Sequence, residues 1–382
     1  MRAATAVEEV GGELEPVEVV DAELVDVDDA PGGEVAVHDP AAAVLAALEE
    51  EAEEDLWGAR AAKSRTGYAR DWVVWQDFHD WLAERKGHRL PDTAVTRGTM
   101  VAFVKWLDQV VKAPPNTIDR RVTGVTVTAR RPPYRVEVPK EATLAARELI
   151  RKWRLDPVRM ARGRGKAAAL TPEDVRAMAG APRERPPRPD ARRRRVLVVP
   201  ELARLRDQAM HSMKLAVAGR NEEMSELDDP NIQVVDEGLT VHVPSVKGRP
   251  ARDVPVTPGE HRETCPVRCW LAWHEAKLAA GAEDGGPAYL PVDQWGHLGT
   301  ARLSPDGVGR ALARCARYAG LSGRRITGHS ARRGLVTTGR KKGKRVEKLR
   351  RQGGWSTNSP VFWEYVDEGE LFEDAPTKGI GL

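Results

Sequence analysis

Large apolar side chains recur at helical spacing through the first half of the chain. Between residues 64 and 84 they fall three or four positions apart, as on one face of an amphipathic helix, at Tyr68, Trp72, Trp75, Phe78 and Leu82. The same spacing predicts helices over Arg97–Val111, Thr117–Ala129 and Lys140–Arg154, and proline pairs separate them. We therefore predict an all-helical domain in which the Trp and Phe residues form the core.

The second half of the chain has a different pattern. A helix is predicted over Pro200–Ala218, and further helices over Thr264–Ala280 and from Ser304 to Tyr318. Between them lie three short runs of strand-forming residues joined by glycine-containing turns: Ile232–Val235, Leu239–Val243 and Arg252–Val256. The predicted fold class is mainly α with a small antiparallel β-sheet, the second domain being α+β.

Shifts in composition divide the chain into five predicted segments. They are an acidic, disordered tail (1–55, with a short helix over Ala41–Asp55), a helical domain (56–155), a basic linker (156–172), a second domain (173–370) and a C-terminal tail (371–382). Within the second domain the Pro/Arg-rich stretch Arg183–Arg195 is predicted to be a loop.

The net charge of +3 conceals a strong asymmetry along the chain. Residues 1–55 hold 18 of the 57 acidic residues and one basic residue, Arg2, whereas the remainder holds 39 acidic and 59 basic residues, a net charge of +20. A basic body suggests a polyanion partner, most simply DNA. The alternative is an arginine-rich surface that is merely solvated. The acidic tail is either a solvated tail or a DNA mimic that shields this body.

Other features of the sequence limit the location and the cofactors. No apolar run is long enough to cross a membrane, no secretory signal is visible, and three cysteines fit a reducing cytoplasm better than a disulfide framework. The ligand types at His261, Cys265, Cys269 and His274 invite a zinc site, but their spacing is not that of a zinc finger. We interpret the cysteines as buried core residues and expect no metal.

A group of polar and aromatic residues near the C-terminus is suited to phosphoryl transfer through a tyrosine. His329 and Arg332 are three residues apart, so a helix places both on one face. Trp355 and Tyr365 follow within 37 positions of His329. Attack on a phosphodiester needs a nucleophile, charge stabilisation for the transition state and a proton donor for the leaving oxygen. Arginine suits the second role because its planar fork meets two phosphate oxygens.

These residues resemble the catalytic set of the tyrosine recombinases, the phage-type integrase family. The family pattern is an arginine with an acid three residues later, a lysine in a strand turn, His-x-x-Arg, a His or Trp, and a tyrosine. The matching residues, in order, are Arg220, Glu223, Lys247, His329, Arg332, Trp355 and Tyr365. The resemblance extends from residue 56 to about residue 370, and residues 56–155 then correspond to the family's core-binding domain. The Trp-to-Tyr step is one residue longer than the family's.

The resemblance implies a role for each residue. Arg220 and Arg332 would bind the non-bridging oxygens of the scissile phosphate. The Tyr365 oxygen would attack phosphorus and form a 3′-phosphotyrosyl link, and Lys247 would protonate the 5′-oxygen that leaves. The bond energy is kept in this link, so no ATP, metal or other cofactor is implied.

Three further residues would support this reaction. His329 would help to remove the phenol proton, since a free tyrosine with a pKa of about 10 is a poor nucleophile at neutral pH. Trp355 would donate its indole N–H and pack against the site. Glu223 would orient His329 or Arg220. The implied activity is site-specific DNA breakage and rejoining, of integration or excision type.

The resemblance also implies partners and alternatives. We expect a clamp around double-stranded DNA, a homo-tetramer on two sites, an accessory DNA-bending or directionality factor, and a cytoplasmic, nucleoid-associated location. The alternatives are a type IB topoisomerase-like relaxing enzyme and a DNA-binding relative that has lost catalysis. The predicted contacts to the DNA backbone are seven basic residues: Arg120, Arg121, Arg130, Arg131, Arg162, Arg164 and Lys166.

Overall fold

The computed structural model describes residues 40–182, 184–185, 197–246, 248–371, 375–377 and 379–380. The helices of this part are α1 (Pro40–Gly58), α2 (Ala62–Lys86), α3 (Arg97–Gln109), α4 (Pro115–Ala129), α5 (Lys140–Trp153), α6 (Pro157–Ala161), α7 (Pro172–Ala179), α8 (Glu201–Ala216), α9 (Asn221–Ser225), α10 (Pro266–Ala279), α11 (Pro305–Tyr318), α12 (Ser330–Lys341), α13 (Val346–Gln352) and α14 (Pro360–Glu370). The strands are β1 (Glu184–Arg185), β2 (Leu197–Val198), β3 (Ile232–Val235), β4 (Gly238–Val243) and β5 (Arg252–Val256).

The chain divides into two units at Arg60, Met1–Arg60 and Ala61–Leu382. The described part of the first unit contains α1, none of whose residues is buried. Residues 1–39 of the predicted acidic tail, most of the predicted loop Arg183–Arg195, and Lys247 lie outside the described residues. No helix in the described ranges is long and apolar enough to span a bilayer. The five predicted segment boundaries remain predictions.

Helices α2 to α5 share one aromatic core. Trp75, Phe78 and Phe103 are fully buried in it. Local signals set the ends of these helices: α2 ends at Gly87, which takes a left-handed conformation (φ 75°), and α3 begins with a capping box at Thr96. The stripe of Trp and Phe residues therefore forms the core, as its spacing predicted.

Strands β3, β4 and β5 form an antiparallel sheet in chain order. Val241 lies at its centre, paired with Ile232 on one side and Val254 on the other. The inner face of the sheet packs in one core with Met210 and Met213 of α8. The predicted fold class, mainly helical with a small antiparallel sheet, is confirmed; β4 begins one residue earlier than predicted, at Gly238.

The end of the predicted linker is docked rather than free. Ala168 N–H donates to the Arg325 carbonyl and Leu170 N–H donates to the Ser330 carbonyl, both at 2.9 Å. Gly334 of α12 makes this docking possible, because a methyl group there would lie 1.8 Å from the Leu170 carbonyl oxygen. Residues 165–170, which we call the strap, therefore pack on the helix that carries Arg332.

Replacing Gly334 by alanine is expected to detach the strap. A glycine inside a helix normally costs about 0.5–1 kcal/mol relative to alanine, so the substitution would stabilise an unobstructed helix. Here the overlap with Leu170 outweighs that gain by about 1–3 kcal/mol. Limited trypsin digestion should show faster cleavage after Arg164 and Lys166. Gly323→Ala is the matched control, because nothing lies within 4 Å of a methyl group there; equal cleavage in the two variants would contradict the account.

Candidate active site

Arg220 stands immediately before α9, where the chain turns sharply out of α8. Ala218 takes a left-handed conformation (φ 48°), and a methyl group at Gly219 would lie 2.6 Å from the Met224 sulfur, so the turn is tightly packed. Glu223, one turn into α9, accepts the Arg220 backbone N–H at 2.9 Å and also binds its guanidinium. The acid therefore fixes both the backbone and the side chain of Arg220.

Glu223 has a second cationic partner, which comes from the sheet. Arg252, at the start of β5, donates to both Glu223 oxygens, at 3.2 and 3.0 Å. Burial would by itself raise the pKa of Glu223, but the hydrogen bonds and charges of Arg252 and Arg220 outweigh it and hold the pKa at about 2. Glu223 is therefore a carboxylate at neutral pH and orients two arginines at once.

Arg332 is buried on the first turn of α12. Its Nη1 donates to the Ala218 carbonyl at 2.6 Å and to the Gly353 carbonyl at 2.9 Å. Its Nη2 is buried and has no hydrogen-bond partner in the described structure. Burial, with the charge of Arg220 next, lowers the pKa of Arg332 to about 9. A guanidinium that is partly unsatisfied and close to a second one favours an anionic ligand.

Trp355 covers the other face of that guanidinium. The guanidinium carbon of Arg332 lies 3.9 Å from the centroid of the Trp355 ring, which is a close cation–π contact. Gly353 is required beneath the ring, because a methyl group there would lie 1.8 Å from a ring carbon. Trp355 is 7% exposed and also packs on Phe362 of α14. The indole therefore links α12 to the helix that carries Tyr365.

Tyr365 lies on the inner side of α14. Its ring meets Trp355 edge-on at 6.5 Å between centroids, and the guanidinium carbon of Arg333 lies 5.7 Å from its own centroid. Burial raises the pKa of Tyr365, although Arg333 and Arg332 oppose the effect. The phenol is thus protonated at neutral pH and needs a proton acceptor to become a nucleophile.

His329 and Tyr365 line the same cleft. The other residues around it are Lys166, Ala167, Arg325, Thr327, Arg333, Val361 and Glu364. His329 stands at the N-terminus of α12, exposed at the mouth of the cleft. Although His329 is exposed as a residue, the protein around its ring removes part of the water. This desolvation, and then the charge of Arg332, lower the pKa of His329, which favours the neutral imidazole that can accept a proton. A neutral base and a protonated phenol therefore face one opening.

The site as described contains six of the seven residues that the family pattern singled out. Arg220, Glu223, Arg332 and Trp355 are joined by the contacts above, and His329 and Tyr365 share the adjoining cleft. Lys247 lies outside the described residues. Among the five tyrosines, Tyr289 is buried in the core and Tyr134 accepts a hydrogen bond from Trp72 in the helical part. The longer step from Trp355 to Tyr365 places the phenol on the inner face of α14.

The seven basic residues predicted to contact DNA differ in their surroundings. Arg120 is held by two hydrogen bonds, 2.5 and 2.7 Å long, to the buried Asp71. Arg162 donates to the buried Asp108 at 2.7 Å. Among the others, Arg121 and Arg131 are half-buried, Arg130 donates to the Val138 carbonyl, Arg164 is exposed, and Lys166 pairs with Glu364. Arg120 and Arg162 therefore also neutralise buried carboxylates inside the protein.

The interpretation of the two cysteines as core residues agrees with the structure. Cys265 and Cys269 are buried, and Cys265 caps α10 through its sulfur. His274 lies instead beside Asp229 and Asp284. In the described residues, the ligand atoms of these three side chains are close enough together to hold a metal ion. Lys277 already neutralises Asp229, at 2.5 Å.

Two residues of the site were not predicted from the sequence. Arg252 shares the buried face of β5 with Val254 and Val256, and Lys214 follows Met210 by four positions in the buried stripe of α8. In the sequence, each is a charged residue at a position where the strand or helix pattern calls for an apolar one. This mismatch is the signal that could have identified them. Both side chains donate to backbone carbonyls of the turn before Arg220.

No protein-family model matches the chain. In sequence it is similar to "Integrase/recombinase xerD homolog" of Selenomonas ruminantium, with 24% identity over 325 residues that cover 82% of this chain and 84% of the relative. In structure it is similar to the XerH site-specific recombinase bound to palindromic difH substrate, with a TM-score of 0.52 and 12% identity over 80% of this chain and 77% of that one. A lambda integrase dimer bound to a COC' core site gives a TM-score of 0.48 and 16% identity, over 87% and 82%.

The fold and the site together define a class of protein that is mainly helical, has a small antiparallel sheet, and holds the buried Arg332 and the partly buried Arg220 near a tyrosine. The sequence similarity to an integrase/recombinase over most of both chains agrees with that class. The predicted resemblance to integrases and recombinases is thereby confirmed.

Neutralising Glu223 is expected to remove a pH-dependent part of the stability. Because the pKa of Glu223 lies below its usual value, its charge stabilises the folded state at neutral pH and ceases to do so as pH falls toward 2. The carboxylate is worth about 3 kcal/mol at neutral pH. Urea unfolding of wild type and Glu223→Gln should therefore differ most at about pH 7 and less at about pH 3.

Glu84→Gln, on the exposed side of α2, is the control for this measurement. It should leave the free energy of unfolding nearly unchanged at both pH values. A difference between wild type and Glu223→Gln that does not shrink with falling pH would show that the charge of Glu223 is not what stabilises the turn.

Proposed function

We propose that the protein is a site-specific DNA recombinase of the integrase or excisionase type, which acts through a 3′-phosphotyrosyl intermediate on Tyr365. The observation that carries the proposal is the arrangement around Arg332. Its guanidinium touches the turn before Arg220 on one side and Trp355 on the other, and Trp355 touches the tyrosine. The relative's name, integrase/recombinase, supports the same activity.

The two arginines supply the charge stabilisation. The scissile phosphate would lie between Arg220 and Arg332, with its non-bridging oxygens accepting hydrogen bonds from both forks. The buried Nη2 of Arg332 would gain a partner in this way. Glu223 and the backbone carbonyls hold the forks before the substrate arrives, so little reorganisation is needed when charge develops on phosphorus.

In the covalent step one phosphoester bond forms as another breaks, so their number does not change. The Tyr365 oxygen attacks phosphorus and its proton passes to neutral His329, while the bond from phosphorus to the 5′-oxygen breaks and that oxygen takes a proton from Lys247. The products are a 3′-phosphotyrosine and a free 5′-hydroxyl. Attack by the 5′-hydroxyl of another strand reverses these transfers, so strands can be exchanged without an added energy source.

The expected assembly follows from the same proposal. The helical domain and the second domain would form a clamp around double-stranded DNA, and a homo-tetramer would hold two sites together. An accessory bending or directionality factor and a cytoplasmic, nucleoid-associated location belong to this picture. A type IB topoisomerase-like enzyme shares the chemistry, and strand exchange separates the two activities.

Removing the Tyr365 hydroxyl is expected to abolish the covalent complex while leaving DNA binding intact. A nicked suicide duplex that carries the recombination site would trap the adduct formed by wild type. Tyr365→Phe should form none, because no other oxygen occupies that position, and its affinity for the duplex should change by less than about threefold. Denaturing electrophoresis of labelled DNA with bound protein provides the measurement.

Tyr318→Phe, on α11, is the matched control and should form the adduct at the wild-type rate. An adduct that persists in Tyr365→Phe would overturn the assignment of the nucleophile. An adduct without exchange between two duplexes would favour the topoisomerase-like activity, and no adduct from wild type would favour the inactive DNA-binding relative.

Arg162 and Arg164 are expected to respond differently to alanine substitution. Arg164 is exposed, so Arg164→Ala should weaken DNA binding and lower the salt slope of log K by roughly one, without affecting stability. Arg162 pairs with buried Asp108, so Arg162→Ala should mainly lower the thermal stability. Titrations at several salt concentrations and thermal melts would test both. A salt slope unchanged in Arg164→Ala would remove this residue from the DNA contacts.

A further inference from the structure

The turn before Arg220 presents three consecutive backbone carbonyls to three cationic side chains. The three hydrogen bonds are Arg252 Nη2 to Val217 at 3.3 Å, Arg332 Nη1 to Ala218 at 2.6 Å and Lys214 Nζ to Gly219 at 2.7 Å. We call residues 217–219 the carbonyl turn. Two of the three cations already belong to the site through Glu223 and Trp355. The third, Lys214, has no role in the mechanism above.

Lys214 is an unusual lysine because it is completely buried. Its side chain is 0% exposed on α8, and the hydrogen bond of its ammonium goes to a neutral carbonyl. Removing an ammonium from water costs several kcal/mol unless a partner compensates for the loss. A protein that keeps such a group beside its active site has a reason other than core packing.

Another buried lysine of this fold has a carboxylate partner that offsets the cost of burying its charge. Lys277 of α10 is also 0% exposed, but its ammonium binds the Asp229 carboxylate at 2.5 Å and the Pro287 carbonyl at 2.9 Å. In the described part of the chain no carboxylate is hydrogen-bonded to the Lys214 ammonium. The charges that act on it are those of Glu223 and Glu222 and of Arg332 and Arg220, and Arg252 adds a further cation at the same turn. Positive charges therefore outnumber negative ones around the carbonyl turn. A bound anion would reduce the repulsion between them.

We propose that Lys214 is a positioning residue of the phosphate site: it fixes the carbonyl turn from the buried side and adds a positive charge behind the two arginines. The inference rests on the proposed function, because it takes the phosphate of the DNA backbone as the anion. Lys214 itself does not reach the substrate. It acts through Gly219, which precedes Arg220, and through the field at Arg332.

The proposed role of Lys214 makes anion binding at the phosphate site depend on pH. The charged and titratable groups that face Lys214 are Arg220, Glu222 and Glu223 at α9, Arg332 and His329 at α12, and His211 on its own helix. Burial, opposed by Glu223, lowers the pKa of Lys214 to about 7. The ammonium is therefore present below about pH 7 and is lost above it, unless a bound anion holds the proton. Burial also lowers the pKa of both histidines, so their titration lies below this window.

The first measurement is the single-turnover rate of adduct formation on the suicide duplex, from about pH 6.5 to about pH 8.5. Lys214→Met should lower this rate about tenfold or more at the acidic end, because the arginines lose their alignment, while DNA affinity stays within about threefold of wild type. The ionisation of Lys214 should also disappear from the pH profile. Lys277→Met is the matched control: it removes an equally buried ammonium, lowers the melting temperature and should leave the profile unchanged.

The second measurement needs no catalysis. Sulfate stays a dianion across this pH range, and its affinity can be followed through the chemical shifts of the arginine Nε–H groups. Wild type should bind sulfate more weakly as pH rises through the window and should take up a proton on binding, seen as buffer-dependent heat in calorimetry. Lys214→Met should lose both effects. If that variant does not fold, the pH dependence of sulfate binding to wild type still tests the role of Lys214.

The outcomes separate the two proposals. Wild-type DNA cleavage with an unchanged pH profile in Lys214→Met, or an equal loss of rate in Lys214→Met and Lys277→Met, would overturn the role of Lys214. Sulfate affinity independent of pH in wild type would overturn it as well. If wild type forms no adduct but its sulfate affinity depends on pH and on Lys214, the recombinase activity fails and the positioning role stands.

Discussion

The buried guanidinium of Arg332 is the contact on which the rest of the site depends. It binds the carbonyl of Ala218 on one side and that of Gly353 on the other, and Trp355 covers its face. These partners are far apart in the chain, so the site forms only where the segments that carry them pack together. Gly334 on the same helix also admits Leu170, which ties the strap to this centre.

The balance of charge around Arg332 explains how the site can be both stable and reactive. Glu223 is shared between Arg220 and Arg252, while Lys214 adds a further buried cation. The folded protein thus holds cations close together at a cost in stability, which a bound phosphate would relieve. Cations held in place in this way would stabilise the negative charge that develops in the proposed phosphoryl transfer.

Much of the fold follows from local patterns in the sequence. The strands over Ile232–Val235 and Arg252–Val256 have the predicted bounds, and the helical stripe centred on Trp75 forms the core of its domain. These features depend on spacing of two or of three to four residues, which a single sequence displays. The order of the site residues was visible for the same reason, although their roles remain predictions.

Pairings between distant residues were not visible in the sequence. Asp71 holds Arg120, and Asp108 holds Arg162, so two arginines predicted as DNA contacts also have buried acidic partners inside the protein. The sequence indicates Arg252 only as the start of a strand, whereas its side chain binds Glu223. Each pairing depends on which surfaces meet in three dimensions, and charge alone does not distinguish an internal arginine from one that contacts DNA.

The most direct test of the central claim is to identify the residue that becomes linked to DNA. Wild-type protein trapped on a suicide duplex can be digested with nuclease and trypsin, and the peptide that retains a nucleotide can be sequenced by mass spectrometry. The tryptic peptide from Gln352 to Lys378 contains Tyr365 and no other tyrosine. We expect the nucleotide on Tyr365 in this peptide. A nucleotide on any other residue, or a trapped complex with no covalent modification, would contradict it.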